Sequence, residues 1–198
     1  MDLKKLIYVQ DQVLDQDFCN HVIEKFEHDT NRYQGVVSDC NGLNQRVDLT
    51  YKNSQDLSIT ILEDWKKEDD VFCQSFRTHF QNYFTEMSTI GDTSFTIDRY
   101  HDLGFIIRKY ENDQGYYNWH NDFQLSPTQG IRLLTFIWYL NDVNNGGETE
   151  FCDGTLIKPC AGRLLIFPTS WYFVHRGKKP LTGSKYIATA WLYGLNHK

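Results

Sequence analysis

The chain has no apolar run near the roughly 20 residues that a bilayer-spanning helix needs. Met1-Asp2-Leu3-Lys4-Lys5 leads into strand-like residues, so no cleavable leader is expected. An intracellular, cytoplasmic protein without a membrane partner is the expectation. Positive charge is also scarce: 20 Lys and Arg stand against 26 Asp and Glu, a net charge of -6. Nothing therefore favours a broad phosphate-binding face, and nucleic acid is not an expected partner. The five cysteines (Cys19, Cys40, Cys73, Cys152, Cys160) are odd in number and scattered, with no C-x-x-C pair. A disulfide framework or a structural zinc site is not expected from such a pattern, and reduced thiols are. Cys152 and Cys160 flank a predicted hairpin whose seven intervening residues permit an approach without requiring it. Internal repeats, low-complexity tracts and a linker to a second domain are all missing, so 1–198 reads as a single domain.

What the chain does have is enough apolar material for one core: 40% of its residues are hydrophobic and 15% aromatic. Leu6 to Val9 reads as a short strand. Asp15-Gln16-Asp17 offers an N-cap for a helix carrying Phe18, Val22, Ile23 and Phe26 at helical spacing. From Thr30 to Gln55 the composition turns polar, with turn signals at Gly35, Asn41-Gly42 and Asn53-Ser54 around a possible strand Gln45 to Leu49. This stretch is a candidate lid. Phe72, Phe76, Phe80 and Phe84 then recur every four residues beside Val71, Tyr83 and Met87, which predicts a helix that buttresses a sheet and ends at Gly91-Asp92.

After about Phe95 the texture changes to short strands separated by turns. They are Phe105 to Tyr110, Tyr116 to His120, Arg132 to Leu140, Glu148 to Phe151, Arg163 to Phe167, Tyr172 to His175 and Lys185 to Trp191. Strands following helices predict an α+β protein with a mainly β core, a jelly roll (double-stranded β-helix) supported by N-terminal helices. Residues 1–94 would supply helical support and the possible lid, and 95–194 the jelly-roll core.

The chemistry centres on Tyr116-Tyr117-Asn118-Trp119-His120-Asn121-Asp122. Along a strand His120 and Asp122 point the same way, so two metal ligands would leave one strand end together. A third is available in His175, at the end of the apolar run Phe173-Val174-His175. Two His and one carboxylate with other positions open form the facial triad of non-heme Fe(II) oxygenases. The same donors could hold Mn or Zn for another cupin-type reaction, and a lone His-x-Asp pair is more often a hydrogen-bonded surface turn. Lys185 stands ten residues after His175 and opens an apolar strand. Pointing inward it needs an anion, which an acidic cosubstrate would supply.

With these residues in view, the second half resembles the prolyl 4-hydroxylase branch of the Fe(II) and 2-oxoglutarate-dependent dioxygenases. The resemblance rests on Tyr110 with Tyr117-x-x-His120-x-Asp122, then Arg132-Leu-Leu-Thr135-Phe-Ile137-Trp-Tyr139-Leu-Asn141, and Gly146-Gly147-Glu148-Thr149-x-Phe151. It continues through Gly162-Arg-Leu-Leu-Ile-Phe-Pro168, His175-Arg-Gly177 and Gly183-Ser-Lys185-Tyr-x-x-x-x-Trp191. So many segments in the family's order are specific.

The resemblance implies that His120, Asp122 and His175 bind Fe(II), with 2-oxoglutarate and O2 as cosubstrates and ascorbate as reductant. Lys185 would hold the far carboxylate of 2-oxoglutarate, and Tyr110, Tyr139 and Thr149 would line its pocket. Strand parity independently sets Thr135, Ile137 and Tyr139 on one face. Arg132, Trp191 and the lid residue Arg46 are candidates for the substrate side. His21, His28, His79, His101 and His197 lie outside the motif, and ordinary structural roles are expected for them. The implied reaction is hydroxylation of a peptidyl proline at C4, with 2-oxoglutarate decarboxylated to succinate and CO2. A proline-containing peptide or protein would be the partner. Alternatives are hydroxylation of another residue, a free amino acid or a small metabolite, and a non-catalytic jelly-roll module that binds or responds to oxygen.

Overall fold

A computed structural model describes residues 3–39, 41–90 and 100–194. The strands of its first half are β1 (Tyr8–Gln10), β2 (Tyr33–Gln34), β3 (Val37–Ser38), β4 (Gln45–Arg46), β5 (Lys52–Asn53) and β6 (Gln55–Ser58). After the helices come β7 (Tyr100–His101), β8 (Ile106–Tyr110), β9 (Tyr116–His120), β10 (Leu125–Ser126) and β11 (Gly130–Tyr139). The chain finishes with β12 (Thr149–Phe151), β13 (Leu156–Ile157), β14 (Leu164–Pro168), β15 (His175–Gly177) and β16 (Lys185–Gly194). Two helices accompany them, α1 (Gln16–His28) and α2 (Lys66–Ser88).

The large sheet runs β1-β14-β11-β16-β8-β6-β2, with β10 on β11 and β7 on β16, and the smaller one runs β13-β12-β15-β9-β5. All the pairings are antiparallel. Two facing sheets with helices on one outer face are the expected jelly roll on supporting helices. Both halves of the chain contribute strands: β1, β2 and β6 join the large sheet and β5 the small one.

Each helix forms where its sequence signals stand. The Asp15 carboxylate accepts the Phe18 N–H at 2.7 Å, capping α1, whose Cys19, Val22 and Phe26 are buried. In α2, Glu68 and Asp69 occupy the first turn, favourable to the helix dipole, and Phe72, Phe76 and Phe80 are buried. Phe76 meets Phe136 of β11 with ring centroids 4.3 Å apart, so the aromatic stripe is indeed the face that packs on the sheet. The helix ends at Ser88 with Thr89 as its C-cap, and the expected terminator Gly91-Asp92 lies outside the described residues.

Alternation along the central strands sorts the core into two parts. Leu134, Phe136, Trp138 and Leu140, with Leu164, Ile166, Ala188, Ala190 and Leu192, join the helices in one cluster. Ile137 and Tyr139, with Leu165, Phe167 and Ile187, join Tyr110 and Phe173 between the sheets. The shared parity of Thr135, Ile137 and Tyr139 therefore marks the barrel interior.

Of the boundaries that differ from the sequence expectation, three have a clear local cause. Leu6 belongs to a 3-10 turn, Leu3–Leu6, closed by the Ile7 N–H on the Lys4 carbonyl, and pairing with β14 begins only at Tyr8. The strand expected at Gln45 to Leu49 stops at Arg46, because Asp48 turns the chain by accepting the Thr50 N–H and hydroxyl. Tyr172 to Val174 lie outside any strand, at and after a turn closed by the Phe173 N–H on the Ser170 carbonyl, so His175 opens β15 rather than ending a strand. The polar stretch Thr30 to Gln55 holds the β3–β4 hairpin and single strands added to both sheets. Cys19, Cys73, Cys152 and Cys160 are all free. None of the described helices is long and apolar enough to cross a membrane.

Candidate active site

His120 is the last residue of β9 and His175 the first of β15, and the antiparallel register pairs them directly. Their ring centroids are 4.2 Å apart. Asp122 lies two residues beyond the end of β9, so the loop rather than strand alternation delivers it. The Thr135 hydroxyl of β11 holds it there, donating to Asp122 Oδ2 at 2.7 Å. His120 Nε2 is 3.7 Å from Asp122 Oδ1 and His175 Nε2 is 3.8 Å from Oδ2, and one donor atom from each residue lies within 4.8 Å of the others. These separations exceed a hydrogen bond and leave a gap between three donors.

The imidazoles are held in the tautomer a metal requires. His120 Nδ1–H donates to the Asn118 carbonyl at 2.7 Å and His175 Nδ1–H to the Phe173 carbonyl at 2.9 Å, so each Nε2 turns a lone pair toward Asp122. Burial, with His175 close by, pushes His120 down to about 3, which leaves it neutral at physiological pH. Burial opposes ionisation of Asp122, but the facing His175 and His120, together with Arg132 and the Thr135 hydroxyl, outweigh it and hold the carboxyl well below its usual range. Two imidazole nitrogens and one carboxylate in a buried pocket suit a divalent first-row metal.

The cavity over this triad extends along β16, past Ile187 to Lys185, and is closed by Tyr110 and Thr149. Lys185 is 2% exposed. Its Nζ donates to the Gly147 carbonyl at 2.8 Å and stands over the rings of Tyr110 and Tyr139, 5.1 and 5.8 Å from their centroids. No carboxylate is paired with it among the described residues. The preceding Gly146 has φ +74, and a Cβ there would meet the Lys179 carbonyl, so glycine is needed where the chain sets up the Lys185 acceptor. The Tyr139 and Thr149 hydroxyls are hydrogen-bonded at 2.7 Å, and burial raises the Tyr139 and Tyr110 phenols, which stay protonated. The arrangement can hold an anion at one end and a metal at the other.

The remaining candidates separate. Trp191 lies on β16 facing the cavity, and the Arg132 guanidinium stands 4.1 Å from the centroid of its ring while Nη1 donates to the Asp122 carbonyl. Arg46 lies on the β3–β4 hairpin with an exposed side chain 3.5 Å from Asp48, outside the lining of this cavity. His21, His28 and His79 fall on the helices and His101 on β7, whereas His197 lies outside the described residues.

Sequence reasoning passed over three buried ionisable residues beside the triad, Lys52, Asp56 and Arg108. Asp56 Oδ2 sits 2.9 Å from Lys52 Nζ and 2.6 Å from Arg108 Nη1. The signal was present, since charges at 52 and 56 with Ser54 between them share a strand parity, but a polar segment masked it.

Comparison with known proteins agrees with this geometry. The family model described as the 2OG-Fe(II) oxygenase superfamily matches residues 105–193. The chain is 32% identical over 123 residues to the Arabidopsis thaliana protein named probable prolyl 4-hydroxylase 9, covering 48% of this chain and 42% of that one. It is 30% identical over 97 residues to prolyl 4-hydroxylase subunit alpha-3 of Mus musculus, covering 40% of this chain and 17% of the mouse protein. The match thus spans less than half the length of these relatives. Among solved structures, a viral collagen prolyl hydroxylase from Paramecium bursaria Chlorella virus-1, in a 2-oxoglutarate complex, superposes with a TM-score of 0.66 at 20% identity, covering 96% of this chain and 97% of that one. A prolyl hydroxylase from Trichoplax adhaerens, bound to a hypoxia inducible factor peptide fragment, gives 0.69 at 15% identity over 96% and 84%. Over residues 105–193 this chain is similar to the 2OG-Fe(II) oxygenase superfamily, and among its relatives it resembles the prolyl 4-hydroxylases.

Proposed function

We propose that the protein is an Fe(II)- and 2-oxoglutarate-dependent dioxygenase that hydroxylates proline, at C4, within a peptide or protein. The observation that carries this reading is one buried cavity joining three convergent metal donors to a lysine without a carboxylate partner among the described residues. The names of the relatives supply the prolyl substrate. His120, Asp122 and His175 would hold the iron, whose redox chemistry couples conversion of 2-oxoglutarate and O2 into succinate and CO2 to insertion of one oxygen atom into a C–H bond.

The chain's own groups set the geometry. Lys185 binds the far carboxylate of 2-oxoglutarate as a compact charge, and the Tyr139 and Thr149 hydroxyls beside it fix the orientation that an ammonium alone would not. Thr135 fixes the Asp122 carboxylate. The apolar lining from Ile137 and Ile187 keeps water from the reacting centre. Trp191 and Arg132, which border the triad, face the incoming substrate.

Incubated with Fe(II), 2-oxoglutarate and ascorbate as reductant, the purified protein should release succinate, faster with a proline-rich peptide that gains one oxygen mass. A peptide panel without that gain removes the prolyl assignment; failure to consume 2-oxoglutarate under any condition removes the oxygenase.

The pH dependence of cosubstrate binding has a defined sign. Burial pushes Lys185 down to about 8, with Glu148 acting weakly the other way. The diacid binds the charged form, so affinity should be level at neutral pH and fall toward about tenfold per unit once the pH passes that value. Binding there must also take up a proton. Calorimetry in buffers of differing ionisation enthalpy checks this, and affinity that rises with pH would contradict it.

A further inference from the structure

A second cavity shares Tyr117, Asp122 and Trp191 with the first and adds Lys52, Arg108 and Arg132 to its lining. Its anions are already committed. Asp56 lies between Lys52 and Arg108 and also accepts the Ser54 hydroxyl at 2.7 Å. Asp39 at the rim accepts the Leu43 N–H at 3.0 Å and Asn44 Nδ2–H at 2.6 Å. Asp122 belongs to the metal triad in the reading proposed above, on which this inference rests. Lys52 and Arg108 share the one buried carboxylate of Asp56, while Arg132 faces Asp122, whose charge the metal would take up.

A cation excess of this kind is costly to bury unless an anion joins it. One cation would suffice to neutralise Asp56. Arg108 donates from Nε to Thr189 and from Nη1 to Asp56, which leaves Nη2 uncommitted among the described residues. Burial, with Arg108 nearby, pushes Lys52 down to about 8 against the opposing pull of Asp56 and Asp122. An independent observation points to a missing acceptor: Trp191 Nε1 is buried with no hydrogen-bond partner among the described residues, and the guanidinium groups of Arg108 and Arg132 stand 5.6 and 4.1 Å from its ring centroid.

We propose that this second cavity binds a carboxylate of the substrate, so that the enzyme selects a proline that adjoins an acidic residue or carries its own free carboxylate. Lys52, Arg108 and Arg132 supply the charge, and the indole N–H of Trp191 supplies a directed donor. The carboxylate lies beside Asp122, so its position fixes which carbon of the ring faces the triad. Lys52, Arg108 and Trp191 thereby determine specificity.

The test compares matched substrates that differ only in that charge: a Gly-Glu-Pro-Gly peptide against Gly-Gln-Pro-Gly, and free L-proline against L-prolinamide. Binding is read by calorimetry under argon, and turnover by the gain of one oxygen mass. A preference of about tenfold or more for the carboxylate within either pair is expected, and the pair that shows it identifies the source. Ratios within about threefold in both pairs, in binding, overturn the proposal. Lys52→Gln leaves Asp56 paired with Arg108 and should collapse the preference, which Lys52→Arg should restore; 2-oxoglutarate binding reports that each variant is folded. Should Lys52→Gln not fold, the wild-type ratios still decide. Absence of 2-oxoglutarate consumption with every substrate would remove the oxygenase reading instead, while the argon binding ratios continue to judge the carboxylate site.

Discussion

Lys185→Met is expected to abolish 2-oxoglutarate binding and, at the same time, to make the ligand-free protein more stable. The wild-type ammonium is buried among aromatic rings with one backbone carbonyl as its hydrogen-bond partner. Burial of a charge without an opposite charge costs free energy that an isosteric apolar side chain does not incur, and such replacements stabilise by about 1–4 kcal/mol. For a chain of this size each kcal/mol moves Tm by roughly 2–4 °C. The same substitution leaves the diacid's far carboxylate in an apolar pocket without its cation, a loss of about 3–5 kcal/mol, or about a hundredfold or more in Kd. Thermal melts with and without 2-oxoglutarate read both effects: the ligand-free Tm rises and the ligand-induced increase vanishes. A lower ligand-free Tm together with retained binding would show that Lys185 is a structural cation.

The second large effect is expected at the triad and should be graded. His175→Ala removes one of three donors and should reduce metal affinity by more than the 10–100-fold typical of losing a supporting residue, with succinate release falling to background. Thr135→Val keeps all three donors but removes the hydroxyl that orients Asp122, and should fall within that 10–100-fold range. Metal titration with a redox-stable divalent ion, alongside far-UV circular dichroism, separates ligand loss from unfolding. Equal effects for the two variants, or none for His175→Ala, would dismiss His175 as a ligand.

Much of this architecture was legible because alternation and helical periodicity are local. The four-residue spacing of Phe72, Phe76, Phe80 and Phe84 announces α2, and Asp15 announces the start of α1. Parity on β11 separates the site-facing Thr135, Ile137 and Tyr139 from the helix-facing Phe136 and Trp138. The resemblance names the triad and Lys185 as one site, and the register of β9 on β15 sets the two histidines side by side. Boundaries set by tertiary contacts were not legible. The turn before His175 depends on a Ser170 carbonyl, and Asp122 is placed by a hydroxyl from a strand 13 residues away. Lys52, Asp56 and Arg108 stayed hidden because their link crosses 52 residues of chain, and no local pattern says which charges will be buried together.

The chain passes from the small sheet at Lys52–Asn53 to the large sheet at Gln55–Ser58 with Ser54 alone between them. That single-residue step acts as a rivet at one corner of the barrel, where a covalent bond rather than a packing contact fixes how far the two walls stand apart. The walls can part elsewhere, but at that corner the chain itself keeps their edges together.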